Sequence, residues 1–233
     1  MKKNGLIISC VLVLSVNLIA QDKCSKFYPI SERASFTSAV YNTKTDAVNN
    51  RNKIGEVTYS VDEVLDNAAL YTVTVAVNPM PAQQAQYKVT CTDSGVSIDT
   101  RAMAGGMTSR FADAEITGDN IYLPNDLSGP FPLPLDDAVM KINSNAAGRA
   151  MTMTRSRKNR VISRQENIIT PARPTAFSCY VLEYDVVMSM NGRTIMTSKT
   201  IEWLAADFGV VQSHEFDATG NETSFSWLVE YSR

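Results

Sequence analysis

The feature of this sequence that most restricts its fold is a long stretch of alternating residues in its last third. Between Tyr180 and Met190, every second side chain is aromatic, aliphatic or methionine. Asn191-Gly192 follows, and this dipeptide is the preferred type I′ turn of a β-hairpin. Arg193–Trp203 then continues as a second strand-like segment. The pattern predicts a hairpin of two long antiparallel strands with one apolar face.

Weaker period-two segments recur along the rest of the chain. Short connections between them imply antiparallel neighbours. The sequence therefore predicts a mostly β fold of about ten strands, an antiparallel meander that forms a strongly curved sheet or an open β-barrel. The segments are Ser35–Tyr41, Ile54–Val64, Leu70–Val77, Gln86–Thr92, Val96–Thr100, Val139–Asn143, Arg149–Thr154, Val161–Ile169, Phe208–Phe216 and Glu222–Tyr231.

Four segments interrupt the alternation. Arg101–Ala114 has apolar residues at a spacing of four, which predicts one short helix with an apolar face. The proline-rich segment 120–135 cannot run as a central strand and is predicted to be a crossover loop. The polar segment Asn42–Asn52 is predicted to be a connection. The basic run Arg155–Arg160 is predicted to be the tip of a hairpin.

The N terminus has the three-part layout of a secretory signal peptide. Lys2 and Lys3 precede an apolar stretch that ends near Ala20, and polar residues follow. That stretch is too short for a transmembrane anchor. The sequence therefore predicts a signal peptide over residues 1–20 and a single β-rich domain over residues 21–233. We expect a monomer without a transmembrane span, located in the periplasm or cell envelope or secreted.

The net charge argues against a nucleic-acid partner, and the number of cysteines limits the disulfides. The whole chain carries a formal net charge of −2 and the two leader lysines contribute +2, so the mature chain carries −4. Nucleic-acid-binding domains usually present a basic face, so we expect no nucleic-acid partner. Outside the leader stand Cys24, Cys91 and Cys179, which allow one internal disulfide at most. Pairing of Cys91 with Cys24 or with Cys179 stays open.

Patterns for catalysis or metal binding are weak. His214 is the only histidine, so a nucleophile–histidine arrangement would have to use it, and the sequence has no nucleophile elbow. One histidine and three separated cysteines do not resemble a zinc site. We therefore predict a non-enzymatic protein with no cofactor and no metal. A hydrolase that uses separated carboxylates is the less favoured alternative.

Two groups of residues are candidates for binding. The first would line a cavity if the sheet curls, with the predicted helix as a lid, because methionine packs adaptably around apolar ligands. Its members are Tyr180, Leu182, Tyr184, Val186, Met188, Met190, Met103, Met107 and Phe111. The second group is a basic patch for an anionic partner or lipid headgroup. Its members are Arg155, Arg157, Lys158 and Arg160.

Several short motifs recur in the order seen in one known family. In the second half they are Asn159-Arg160-Val161, Thr170-Pro171-Ala172, Phe177-Ser178-Cys179-Tyr180, and Glu202-Trp203 followed by Phe208-Gly209-Val210-Val211. Tyr28-Pro29, Tyr87–Cys91 and Gly118-Asp119-Asn120 fit in the first half. In this order the chain resembles the TapB-like proteins, the DUF3108-like group of Bacteroidota envelopes. Arg173–Ala176 departs from that pattern, which has Gly-Thr after Thr-Pro-Ala.

The resemblance implies an exported β-rich domain and supplies no catalytic residues. It also implies a distant likeness to curved half-barrels that carry lipoproteins or other apolar cargo. Our leading hypothesis is therefore a binding protein for an apolar small molecule, a lipid or a lipidated segment. The alternative is an interaction or scaffold module that docks on another envelope protein through the proline-rich loop and the basic run.

Overall fold

Alternating segments become strands throughout the described part of the protein. The computed structural model describes residues 25–99, 101, 114–146 and 149–232. These residues form one antiparallel sheet of fourteen strands and one short helix. The predicted signal peptide, Cys24, and the helix predicted around Met103, Met107 and Phe111 lie outside the described residues.

The elements follow one another from the first described residues to the last. The first half contains β1 (Ser35–Tyr41), α1 (Lys44–Val48), β2 (Lys53–Leu65), β3 (Ala68–Val77), β4 (Gln83–Thr92) and β5 (Gly95–Ile98). Three short strands follow, β6 (Glu115–Gly118), β7 (Ile121–Pro124) and β8 (Leu133–Pro134). The second half contains β9 (Ala138–Ala146), β10 (Arg149–Thr170), β11 (Arg173–Met190), β12 (Arg193–Ala205), β13 (Gly209–Asp217) and β14 (Glu222–Ser232).

Two meanders meet in the middle of the sheet. β9 to β14 lie side by side in chain order, and so do β1 to β5. β1 pairs with β14 on one side and with β2 on the other, so the first and last described strands join the two meanders. The result is one continuous sheet rather than two separate ones.

The two ends of the sheet come together. β6 pairs with β9 at one end and β7 pairs with β5 at the other. Only Asp119 and Asn120 separate these two strands in sequence. Asp119 is held by β9, because its backbone N–H donates to the Val139 carbonyl at 2.9 Å and its carboxylate accepts from the Val139 N–H at 3.2 Å. The sheet must therefore curl until its ends are neighbours, yet no ladder joins β6 to β7 in the described chain.

A single large apolar cluster fills most of the curl. Its buried members come from both meanders, including Tyr71 and Val89 from the first and Val181, Leu204 and Leu228 from the second. A smaller cluster lies beneath α1, where Ala47 packs with residues of β1 and β14. Burial of this apolar area is the main term that stabilises such a sheet.

The predicted fold class is confirmed as an antiparallel, strongly curved and open sheet. The hairpin turn is also confirmed, because Asn191 and Gly192 both have positive φ, 49° and 80°, as a type I′ turn requires. The polar connection contains α1, whose N-cap Thr43 accepts from the Asp46 N–H at 3.1 Å. Within the proline-rich segment, β7 and the two-residue β8 form short strands.

One prediction about the second half is wrong. Arg155–Arg160 is not a hairpin tip but the middle of β10, a strand of 22 residues. Its pairing with β11 continues from Met153 to Thr170 and shifts register at three points. A strand with bulges bends and twists more than a regular one, so the polar run marks a bend inside a strand rather than a turn between two strands.

The states of Cys91 and Cys179 exclude one of the two disulfide pairings that the sequence allows. Cys91 is disulfide-bonded, whereas Cys179 is a buried free thiol. Pairing of Cys91 with Cys179 is therefore wrong. Burial and the nearby Glu166 carboxylate raise the pKa of the Cys179 thiol to about 12, which makes it a poor nucleophile at neutral pH.

Candidate functional site

A cavity of about 130 Å³ lies inside the curl of the sheet and is partly open to solvent. Strands of both meanders line it, together with the segment that precedes β1. Its walls combine apolar and polar side chains. The apolar ones include Phe36, Ile98, Ile121, Leu123, Leu182 and Leu204, and the polar ones are Ser38, Tyr28, Tyr59, Tyr71, Tyr87, Arg157, Arg160 and Glu202.

A bulge in β10 brings two arginines to the same side of the sheet. Residues three apart in a regular strand point to opposite faces. Lys158 pairs with Asp185 and Val161 pairs with Glu183, so two residues of β10 lie opposite the single residue Tyr184 of β11. Asn159 accommodates the bulge with φ of 55°. Arg157 and Arg160 both line the cavity as a result.

Arg160 ties the second meander to the far end of the sheet. It is 2% exposed. Its guanidinium donates to the carbonyl of Asp136 and, at 3.2 Å, to the carbonyl of Tyr122 in β7. Its Nε atom is buried without a hydrogen-bond partner among the described residues. Arg160 therefore bridges the gap that the missing β6–β7 ladder leaves, and it retains one unused donor.

Arg157 contacts a ring rather than an oxygen atom. Its guanidinium carbon lies 5.1 Å from the centroid of the Tyr184 ring. The Tyr184 hydroxyl donates to a Glu202 carboxylate oxygen at 2.9 Å. Arg157 itself donates no hydrogen bond to any group in the described ranges, and no direct ion pair joins it to Glu202. The Arg157 donors are thus available to whatever occupies the cavity.

Four tyrosines also line the cavity. Tyr71 stacks on Tyr87 with ring centroids 5.2 Å apart, and Tyr28 meets Tyr71 edge to face at 6.4 Å. The Tyr71 hydroxyl donates to the Pro29 carbonyl. The hydroxyls of Tyr28, Tyr59 and Tyr87 have no protein hydrogen-bond partner in the described part of the chain. Burial, and then the charge of Glu202, raise the pKa of Tyr59 to about 12, so this phenol is neutral at physiological pH.

Two further charged residues continue this face towards solvent. Arg155 precedes Arg157 by two positions on β10, and Glu215 pairs with Thr200, which itself pairs with Tyr184. Residues two apart in a strand and residues directly opposite each other share a face. Both side chains are exposed. Partial desolvation of the Glu215 carboxyl group raises its pKa, the nearby Arg155 opposes that effect, and Glu202 adds to it.

The predicted apolar stripe divides among several environments. Leu182 lines the cavity, and Tyr184 holds the cavity glutamate Glu202. Tyr180 packs edge to face on Phe27 with centroids 5.8 Å apart. Like Tyr180 and Tyr184, the remaining members are not among the residues that line the cavity. Val186 belongs to the apolar core, Met188 packs against that core, and Met190 is 38% exposed. Their role in binding stays a prediction.

The predicted basic patch also divides. Arg155 and Lys158 are exposed, whereas Arg157 and Arg160 face the cavity. Sequence reasoning did not select Tyr28, Tyr59, Tyr71, Tyr87 or Glu202 as site residues. Tyr59 and Tyr71 do occupy inward positions of alternating strands, and that is the one indication the sequence offers. Their convergence depends on how strands distant in sequence curl together.

His214 lies away from the cavity in an aromatic cluster. Its ring is 4.6 Å from that of Phe225 and 5.0 Å from that of Trp203, centroid to centroid. Nδ1 lies 3.2 Å from a Glu222 carboxylate oxygen, and Nε2 lies 3.2 Å from the Gln212 side-chain nitrogen. No nucleophile in the described chain approaches the ring.

The described residues also contain no group of three or more acidic, histidine or cysteine side chains that could hold a metal ion.

These features define a class of protein: a single curled antiparallel sheet with a mixed polar and apolar cavity. The chain belongs to the DUF3108-like family, which it matches over residues 34–228. No curated protein matches it.

Two solved structures share the fold. One is provisionally described as an exported protein with a YmcC-like fold from Bacteroides fragilis, with a TM-score of 0.65 and 21% identity over 90% of this chain and 100% of that one. The other is provisionally described as a lipoprotein from Parabacteroides distasonis, with a TM-score of 0.68 and 21% identity over 90% and 99%. Both descriptions agree with the export that the leader predicts. Within the described residues, no helix has the length and hydropathy needed to cross a membrane.

Proposed function

We propose that this protein is an exported, non-enzymatic binding protein that holds a small, largely apolar ligand in the cavity of its curled sheet. The observation that carries the proposal is the cavity itself, which sits where a close-packed core would otherwise close. Protein interiors normally leave few voids larger than a water molecule. A partly open cavity of about 130 Å³, with apolar walls and a few unpaired polar groups, has the composition of a ligand site.

The size of the cavity limits the ligand. Typical sites for drug-sized ligands measure roughly 300–1,000 Å³. An engineered apolar cavity of about 150 Å³ binds benzene. The cavity of this protein is therefore suited to one aromatic ring or a short aliphatic group. A lipid or lipidated segment would insert only its end.

A second candidate function rests on two carboxylates. Glu202 and Glu215 lie on neighbouring strands, because Glu202 pairs with Ser213, two residues before Glu215. The Cα atoms of diagonal neighbours are about 7–8 Å apart. The two side chains therefore start from neighbouring points on one face, as a pair of glycosidase carboxylates would. Only Glu202 lines the cavity, however, and Glu215 is exposed. The binding function is therefore better supported than hydrolysis.

The alternative, a module that docks on another envelope protein, predicts different structural features. Such a protein would have a filled core and a contiguous exposed apolar patch. The cavity favours ligand binding over that alternative.

The test is native mass spectrometry of the mature chain, residues 21–233, purified from its own envelope. We expect a reproducible added mass. In a Ser38→Phe variant, which fills the cavity from β1, the added mass should disappear. Ser178→Phe introduces the same ring at an exposed position of β11 and should keep the added mass. A bare chain mass in the wild type, or equal loss in both variants with both folded by circular dichroism, would overturn the proposal.

A further inference from the structure

The cavity face carries more positive than negative charge. β10 supplies Arg155, Arg157 and Arg160, while β12 and β13 supply Glu202 and Glu215. The face therefore has one positive charge in excess when all five groups are ionised. In the cavity itself, two arginines face one glutamate. Charge inside a partly desolvated site acts more strongly than charge on an open surface.

The glutamate of the cavity is already engaged, whereas the arginine beside it is not. One carboxylate oxygen of Glu202 accepts a hydrogen bond from the Tyr184 hydroxyl at 2.9 Å. Arg157 lies over the ring face of Tyr184 and donates no hydrogen bond to any group in the described chain. Burying a guanidinium without oxygen acceptors is costly, because each unpaired donor loses its hydration. Among the charged groups of the cavity, the N–H donors without an acceptor are therefore mainly those of Arg157.

Neutral donors surround the same space. Tyr28 and Tyr59 line the cavity, and their hydroxyls have no protein partner among the described residues. Desolvation is the main cause that raises the pKa of both phenols. They therefore keep their protons at neutral pH and can donate to an oxyanion.

We infer that the ligand is an amphipathic organic monoanion, with a carboxylate at Arg157 and an aromatic or short aliphatic group against Leu182, Leu204 and Phe36. This inference rests on the proposed function. The planar guanidinium presents parallel N–H groups that match a carboxylate. One excess positive charge on the face suits a single negative charge on the ligand. The cavity volume limits the rest of the ligand to about one ring.

The test compares three ligands that share a ring and differ in charge. Phenylacetate, 2-phenylethanol and 2-phenylethylamine are titrated into the delipidated mature chain, and binding is followed by ligand-observed NMR. We expect phenylacetate to bind about tenfold or more tightly than 2-phenylethanol, as a hydrogen bond to a charged partner requires. The amine should bind more weakly than the alcohol.

Two variants locate the effect. Arg157→Met should weaken phenylacetate binding about tenfold and leave 2-phenylethanol within twofold of wild type. Lys158→Met removes the same charge from the adjacent exposed position and should change neither ligand. Equal binding of acid and alcohol, or equal effects of the two variants, would overturn the inference while the proposed function stands. If none of the three ligands binds, the inference fails, whereas the proposed function is decided separately by the added mass in native mass spectrometry.

Discussion

At the residue scale, His214 has an environment that disfavours its charged form. Burial lowers the pKa of His214 below its ordinary value of 6.5. Glu222 opposes that effect, Lys44 adds to it, and Glu166 opposes it more weakly. The nearby carboxylate therefore does not make this an ion pair at neutral pH, because desolvation outweighs its attraction.

The lowered pKa predicts a loss of stability in acid. The unfolded chain takes up a proton near pH 6.5, whereas the folded chain does so only at lower pH. The contribution of His214 to the free energy of unfolding is therefore complete above pH 6.5 and is lost as pH falls through the folded-state pKa. His214 is the only histidine, so its imidazole NMR signal can be followed without assignment.

We expect the midpoint of that signal below 6.5, and lower still in Glu222→Gln. In His214→Gln, the free energy of unfolding should depend less on pH between 7.5 and 5 than in the wild type. A midpoint at or above 6.5 would contradict the burial argument.

At the element scale, two glycines show different reasons for having no side chain. Gly55 in β2 faces the backbone of β3, where a Cβ atom would meet the Ala76 carbonyl oxygen and approach Val77 Cα to 2.6 Å. Gly192 in the β11–β12 turn has open space around it but a φ of +80°. The first position is restricted by packing and the second by backbone conformation.

These reasons predict unequal costs for the same substitution. Gly192→Ala should lower the free energy of unfolding by about 1 kcal/mol, since only the left-handed conformation is penalised. Gly55→Ala should lower it by about 3 kcal/mol, the upper end of the usual cost of overpacking, because two strands must move apart. Urea denaturation of both variants measures the difference. Equal costs would mean that β2 and β3 adjust freely at this point.

In β10, the sequence pattern predicts neither the facing of the residues nor the continuity of the strand. Its inward residues, such as Arg157 and Ile162, are not separated by an even number of positions, because bulges shift the register. A polar run with an asparagine is typical of a turn as well as of a bulge, and only pairing with β11 separates the two. In contrast, β11 pairs regularly with β12 over most of its length. Its strand, its turn and its alternation were all predictable from local sequence.

At the scale of the whole molecule, the strands were predictable but their closure was not. Meander neighbours follow from short connections, whereas β6 and β7 pair at opposite ends of the sheet although two residues separate them. No local pattern encodes that choice, and the cavity depends on it. The site is accordingly assembled from residues far apart in sequence, such as Tyr59, Arg157 and Glu202.

Arg160 should therefore matter to the stability of the whole sheet. Its hydrogen bond to the Tyr122 carbonyl links β10 to β7 at the far end of the sheet, and its hydrogen bond to the Asp136 carbonyl holds the segment that precedes β9. In Arg160→Met those carbonyls lose charged donors in a buried setting, so we expect the free energy of unfolding to fall by about 2–4 kcal/mol. Lys158→Met, two residues earlier and exposed, should change it by less than about 0.5 kcal/mol.

Urea denaturation gives the totals for these two variants, and hydrogen exchange locates the effect. Amides of β6 and β7 should lose protection first in Arg160→Met, because these end strands each pair with one neighbour only. Amides of the central strands β14 and β1 should exchange only with global unfolding. If both variants leave stability equal, or if β1 opens before β7, the curl is held by core packing alone and Arg160 serves only the cavity.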